Sequence, residues 1–197
     1  MPAMSSLIAH VAAGITAYVC RGSPELRVRS LPLLAACVGL AVLPDLDYLL
    51  WWWLRIQVEP RITHSLGFAA ASAGVAWLML GGWRSAGRAS LALTLFTAAA
   101  SHELLDFLVG VHPAPWLWPL SGALFVVPQG LLPSAGRLDW SNVYLWRNLL
   151  IEAGVLGPVM LAICAARRPG LRLPKPAWIG LACVGIAALA WSVSLPR

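Results

Sequence analysis

Long apolar stretches alternate with short polar segments along most of the chain. Most of these stretches are close to the ~20 residues that an α-helix needs to cross the ~30 Å hydrocarbon core of a bilayer. We therefore predict an all-α, polytopic membrane bundle of about six transmembrane helices. The predicted spans are residues 5–20, 31–54, 64–83, 89–111, 148–166 and 177–195.

Two segments depart from a regular helical pattern. Pro44 interrupts the second apolar run, which predicts an irregular turn there because proline cannot donate to the helical hydrogen-bond ladder. Residues 113–138 are rich in Pro, Gly and Trp and predict an interfacial or re-entrant segment between helices 4 and 5. No part of the chain suggests a separate soluble domain, so we predict one transmembrane domain over residues 1–197.

Composition supports the membrane class. Hydrophobic residues make up 59% of the chain and charged residues only 11%, whereas soluble domains carry about 25% charged residues. The net charge of +6 comes from cations in short loops between apolar runs, where they set topology and meet anionic lipid. Membrane lipid is therefore the expected partner, and nucleic acid is not.

The distribution of basic residues predicts an orientation. On the six-helix interpretation, nine of the 14 Lys and Arg residues lie in the loops after helices 1, 3 and 5. The positive-inside rule then places these loops in the cytoplasm and both termini on the extracytoplasmic side.

Ionisable residues lie inside the apolar runs, where each costs several kcal/mol and is a functional hypothesis by default. With the predicted topology, six of them fall in the outer half of the bundle although they are far apart in sequence. They are predicted as metal ligands: His10, Asp45, Asp47, His64, His102 and Asp106.

Local spacing agrees with a metal site. His102 and Asp106 are four residues apart and share one helical face. The turn at Pro44 lets the two aspartates beside it converge, and Thr63 is the predicted N-cap of a helix whose first turn holds His64. Imidazole and carboxylate ligands suit Zn²⁺ best, with Mn²⁺ or Fe²⁺ possible. Six ligands exceed the need of one tetrahedral ion, so we predict one or two ions.

Each of the predicted metal ligands also has a simpler interpretation that needs no metal. His10 alone could make a hydrogen bond between helices. Asp45 and Asp47 could cap a broken helix or pair with Arg55 or Arg61. The His102–Asp106 pair could be a structural hydrogen bond.

Three further ionisable residues are left out of the predicted site. Glu103 points away from the His102 face and is expected to meet solvent, lipid headgroups or an arginine. Glu152 is expected to pair with Arg147 at the interface, with a role as a ligand or general base as the alternative. His112, before a proline, is interpreted as a loop residue.

These motifs give the sequence a resemblance to the YdjM-like family of inner-membrane-associated, predicted metal-dependent hydrolases. The resemblance covers residues 8–122, and Pro60 stands where the family usually has one more histidine. It implies a membrane-bound hydrolase whose His and Asp residues bind metal. The matching elements, in order, are His10 with Gly14, residues 43–47 (Leu-Pro-Asp-Leu-Asp), 61–66 (Arg-Ile-Thr-His-Ser-Leu), 102–106 (His-Glu-Leu-Leu-Asp) and 117–120 (Leu-Trp-Pro-Leu).

The leading hypothesis is a metal-dependent hydrolase of the bacterial inner membrane, with its site on the extracytoplasmic side. A metal-activated water would attack a lipid or lipid-linked phosphoester, and Arg61 would stabilise the anionic substrate. Two other classes stay open at this stage: a metal-ion or proton transporter, and a non-catalytic protein with a structural metal.

Overall fold

A computed structural model describes residues 6–21, 30–47, 53–56, 59–84, 86–110, 113–127, 130–134, 141–168, 170–171 and 173–195. Within these ranges the regular secondary structure is helical, with no β-strands, which confirms the all-α prediction. The α-helices of the described ranges are α1 (Leu7–Val19), α2 (Ser30–Val42), α3 (Leu66–Met79), α4 (Arg88–Val109), α5 (Val143–Arg167) and α6 (Lys175–Ser194).

The helices differ in their capacity to cross a membrane. Helices α4, α5 and α6 have 22, 25 and 20 residues and are long and apolar enough to span a bilayer. Helices α1, α2 and α3 are apolar but have only 13, 13 and 14 residues. At 1.5 Å per residue each measures about 20 Å, which is less than the ~30 Å hydrocarbon core. The fold is compatible with a helical membrane protein, and the count of six spans stays a prediction.

The second apolar run changes from an α-helix to a 3-10 turn at Pro44, where the sequence predicts an interruption. Helix α2 ends at Val42, and residues Leu43–Leu46 form a 3-10 turn with Pro44 in its first turn. The backbone N–H of Asp47 closes this turn by donating to the carbonyl oxygens of Pro44 and Asp45. The predicted irregular turn is therefore confirmed, and residues 48–52 lie outside the described ranges.

Helix α3 begins later than predicted. Its N-cap is Ser65, which has an extended backbone and accepts a hydrogen bond from the Phe68 N–H at 3.1 Å through its hydroxyl. The prediction of Thr63 as the cap is wrong, because its hydroxyl donates to Asp47 instead. His64 consequently precedes the helix rather than lying in its first turn.

The segment after α4 is non-helical over residues 113–127 and 130–134. Ala114 and Phe125 exchange two backbone hydrogen bonds of 2.9 Å, and the Leu66 N–H donates to the Trp116 carbonyl at 3.0 Å. The first two bonds close the segment on itself, and the third attaches it to the start of α3. Its position in or near a membrane interface stays a prediction.

The last two helices begin earlier than predicted. Asn142 caps α5 by accepting a hydrogen bond from the Tyr144 N–H, so that α5 begins five residues before the predicted position 148. Helix α6 begins at Lys175, directly after Pro174 and two residues before position 177.

The chain divides into two compact units, and α1 and α4 each continue across the division. One unit contains Met1–Ala9, Leu105–His112 and Val126–Arg197, and includes α5 and α6. The other contains His10–Leu104 and Pro113–Phe125, and its core is made of small and aliphatic side chains. The prediction of a single transmembrane domain stays a prediction.

Close backbone contact between α1 and α2 helps to place His10. Gly14 lies one turn after His10, and a Cβ added there would be 2.7 Å from the Cys37 carbonyl oxygen. Only glycine permits this approach, because a real Cβ would force the helices apart.

Candidate metal centre

Most of the predicted ligands are buried around one point. His10 and His102 are fully buried, His64 is 2% exposed, and Asp45 is 8% exposed. One ligand atom from each of four residues lies within 4.8 Å of the ligand atoms of the other three. These residues are Asp45, His64, His102 and Asp106, and we call them the four-residue group.

His102 has a defined tautomer. Its Nδ1 lies 2.8 Å from the Ala41 carbonyl oxygen near the end of α2. A carbonyl oxygen can only accept, so Nδ1 carries the proton and donates it. The lone pair of Nε2 therefore faces the centre of the group, as in metal-binding histidines whose other ring N–H donates to a carbonyl.

His64 has the same tautomer for a different reason. The Thr63 hydroxyl donates to Asp47 Oδ2 at 3.1 Å, and the oxygen of that Thr63 hydroxyl lies 3.1 Å from His64 Nδ1. Because a hydroxyl has one proton, the Thr63 oxygen accepts from Nδ1–H of His64. The Nε2 lone pair of His64 is left to face the centre.

The two Nε2 atoms of His64 and His102 are 3.3 Å apart. Two lone pairs at this distance repel each other unless a cation lies between them. Two ligands of a tetrahedral zinc ion, each about 2.0–2.1 Å from the metal, lie about 3.3–3.4 Å apart. The separation of the two nitrogens therefore fits the edge of such a site.

Asp45 contributes its carboxylate to the four-residue group from the 3-10 turn after α2. Its Oδ1 is 3.7 Å from His102 Nε2 and 4.0 Å from His64 Nε2. Two atoms can bind one ion when they lie within about 4.2 Å, twice the metal–ligand distance. Both separations satisfy this limit.

Asp106 is placed by the same helix that holds His102. Helix α4 is continuous from Arg88 to Val109, and the four-residue spacing puts Asp106 one turn after His102 on the same face. Asp106 is half-buried, and its carboxylate belongs to the four-residue group.

His10 lies against the group but is not a member of it. Its ring stacks on that of His102, with centroids 3.9 Å apart and planes 14° from parallel. Its Nε2 is 3.8 Å from Oδ2 of Asp45, the oxygen opposite the one that faces the other two histidines. Its predicted role as a ligand stays a prediction.

Asp47 and Arg61 pair with each other beside the group. The guanidinium donates through Nε to Oδ2 at 2.8 Å and through Nη2 to Oδ1 at 2.9 Å. Asp47 Oδ2 is also 3.7 Å from His64 Nδ1, on the side of the ring that faces away from the centre. The structure thus forms the Asp47–Arg61 pair that the sequence left open, and Asp47 is not part of the four-residue group.

Of the three ionisable residues left out of the predicted site, two lie within the described residues. Glu103 is 2% exposed, so the expectation that it meets solvent is wrong, because α4 is packed on more than one face. Glu152 accepts a hydrogen bond from the Ser6 N–H at 3.2 Å, while Arg147 donates to Asn148 at 3.0 Å. His112 lies outside the described residues.

Sequence reasoning missed two groups that orient the histidines. The Ala41 carbonyl belongs to the backbone, and no side-chain pattern could have indicated it. The Thr63 hydroxyl was visible in the sequence beside His64, but its good N-cap propensity favoured a different role.

Comparison with known proteins identifies the family. No curated protein and no solved structure matches the chain. The YdjM inner membrane protein family matches residues 4–195, nearly the whole length, and thus extends well beyond the motifs around the metal centre. The chain belongs to the YdjM inner membrane protein family.

Proposed function

We propose that this protein is a membrane-bound, metal-dependent hydrolase acting on a lipid or lipid-linked phosphoester. The observation that carries the proposal is the pair of Nε2 atoms of His64 and His102, 3.3 Å apart beside a buried carboxylate. Nitrogen and oxygen donors without sulfur suit Zn²⁺, with Mn²⁺ or Fe²⁺ as alternatives. When bound, such an ion supplies Lewis-acid polarisation of the ester and activates water for attack.

Some groups would bind the ion, and others would orient its histidine ligands. Asp45, His64, His102 and Asp106 would bind it, and Thr63 and the Ala41 carbonyl keep the two imidazoles in the required tautomer. The two oxygens of Asp45 face different histidines, so Asp45 and His10 would be the residues to hold a second ion. The proposal therefore includes one or two ions.

Arg61 is the candidate for contact with an anionic substrate. Its side chain is 17% exposed, and Asp47 fixes the guanidinium beside the centre. A guanidinium carries five N–H donors in a planar fork that matches phosphate oxygens. Asp47 in turn would act mainly through Arg61 and Thr63, and only secondarily as a ligand.

The setting of the centre favours a lipid substrate. His102 and Asp106 lie on the apolar helix α4, while Asp45 and His64 lie beside the ends of the apolar helices α2 and α3. The family is described as inner membrane proteins. The excess of basic residues in the predicted cytoplasmic loops supports a site that faces the extracytoplasmic side.

The proposal is tested with purified protein in phosphatidylcholine vesicles that contain phosphatidic acid and Zn²⁺ or Mn²⁺. The wild type should release phosphate, and Asp45→Ala and His64→Ala should lose at least 100-fold of this activity together with their metal. The matched control is Ser72→Ala on α3, whose hydroxyl donates to the Ala69 carbonyl within the same helix. Metal flux into the vesicles without phosphate release would instead support a transporter, and undiminished activity in both variants would refute the assignment.

A further inference from the structure

An apolar groove lies on the outside of α2 and the end of α3. On one side it is lined by residues between Pro32 and Leu46, and on the other by Ala76, Met79 and Leu80. Each lining residue that the structure describes is Pro, Gly, Ala, Val, Leu or Met, so these residues offer no polar side chain to a ligand. They therefore favour an apolar occupant.

The groove and the metal centre share one structural element. The 3-10 turn Leu43–Leu46 contributes Leu43 and Leu46 to the groove and Asp45 to the four-residue group. Leu46 is 47% exposed, whereas Asp45 is buried, so the turn presents an apolar side chain outward and a carboxylate inward. A molecule whose tail lies in the groove would thus have its head next to the turn that carries Asp45.

The groove has the size of a small-molecule site. Its volume is about 510 Å³, within the ~300–1,000 Å³ typical of pockets that bind small molecules. One hydrocarbon chain of a lipid is a ligand of this size class.

We propose that this groove binds one acyl or prenyl chain of the substrate and so restricts the enzyme to phosphoesters with a long hydrocarbon tail. The inference rests on the proposed hydrolase function and adds to it the class of substrate and the place where the tail binds. The rival occupants are bulk lipid and a helix from a second copy of this chain.

Two glycines provide a matched pair of variants. A Cβ added at Gly39, in the groove, or at Gly74, on α3 outside the groove, meets no atom within 4 Å. Gly39→Leu should therefore fill the groove without disturbing the helix. Gly74→Leu makes the same chemical change elsewhere and gains helix propensity in the same way.

The first measurement is hydrolysis by the reconstituted full-length variants. Gly39→Leu should lower phosphate release from dioleoyl phosphatidic acid at least fivefold, and should leave release from the soluble dibutyryl analogue unchanged. Gly74→Leu should match the wild type with both substrates. Equal activity of Gly39→Leu and Gly74→Leu on the long-chain substrate would overturn the proposal.

The second measurement is independent of catalysis. Phosphatidic acid with a diazirine near the end of one acyl chain is photo-crosslinked to the protein, and the labelled peptides are identified by mass spectrometry. Label should concentrate on residues 32–46 and 76–80 in the wild type and in Gly74→Leu, and should fall severalfold there in Gly39→Leu. Label spread evenly over the other helices, or crosslinked dimers at the groove, would refute the acyl-chain site. If no variant hydrolyses either substrate but the groove labels as expected, the hydrolase function fails while the lipid site stands.

Discussion

The hydroxyl group of Thr63 connects the Asp47–Arg61 ion pair to the imidazole of His64. It donates to the Asp47 carboxylate and accepts from Nδ1–H of His64, both at 3.1 Å. This small group thereby decides which nitrogen of His64 faces the metal centre. Hydrogen-bond partners of this kind are worth about 10–100-fold in metal affinity in other metal sites.

Replacing Thr63 with valine should weaken Zn²⁺ binding by about 10–100-fold, because His64 loses the acceptor that fixes its tautomer. Competition titration of the purified protein with a chromophoric chelator measures the affinity. The matched control is Thr94→Val on α4, which removes a buried hydroxyl that donates to the Ser90 carbonyl one turn away. Equal affinities of the two variants would contradict the role given to Thr63.

At the scale of elements, the candidate metal centre depends on short helices that end or begin beside it. Helix α2 ends in the 3-10 turn that carries Asp45, and α3 begins just after His64. Helix α1 approaches α2 closely only because residue 14 is glycine. These junctions bring together ligands that are far apart in sequence.

Gly14→Ala should destabilise the protein by about 1–3 kcal/mol, the typical cost of inserting an extra group into a packed interior. The added Cβ would be 2.7 Å from a backbone oxygen of α2, which cannot move aside as a flexible side chain could. Thermal unfolding followed by circular dichroism measures the effect. Gly74→Ala serves as the control, since its Cβ meets open space and should raise stability by up to about 1 kcal/mol. A Gly14→Ala variant as stable as this control would disprove the close contact.

The element types and most of their positions could be predicted from the sequence, but their ends could not. Pro44 indicated the irregular turn because proline has a fixed effect on a helix. Thr and Ser are both favoured at helix N-caps, so residue type does not distinguish Thr63 from Ser65. The position of Asp47 in the fold decides, because it engages the Thr63 hydroxyl and leaves Ser65 as the cap. Helix α5 continues through Arg147 and Asn148, so polar residues did not mark its beginning.

At the scale of the whole molecule, the predicted membrane topology is what let the sequence indicate the candidate site. A polar residue's position in a predicted span fixes its approximate depth, so ligands from different helices could be assigned to one layer. The depth of a residue does not determine which other residues at the same depth it contacts. For that reason the sequence could not distinguish Asp47, which pairs with Arg61, from Asp45, which joins the four-residue group.

Zinc K-edge X-ray absorption on the zinc-loaded, detergent-purified protein is the most direct test of a His/Asp metal centre. We expect bound zinc surrounded only by nitrogen and oxygen at about 2.0–2.1 Å, with the outer scattering of at least two imidazole rings. His102→Ala should lower the imidazole contribution, and Glu103→Gln, a buried neighbour on the same helix outside the four-residue group, should leave it unchanged. Absence of retained zinc, or a sulfur distance of about 2.3 Å, would contradict a His/Asp metal centre.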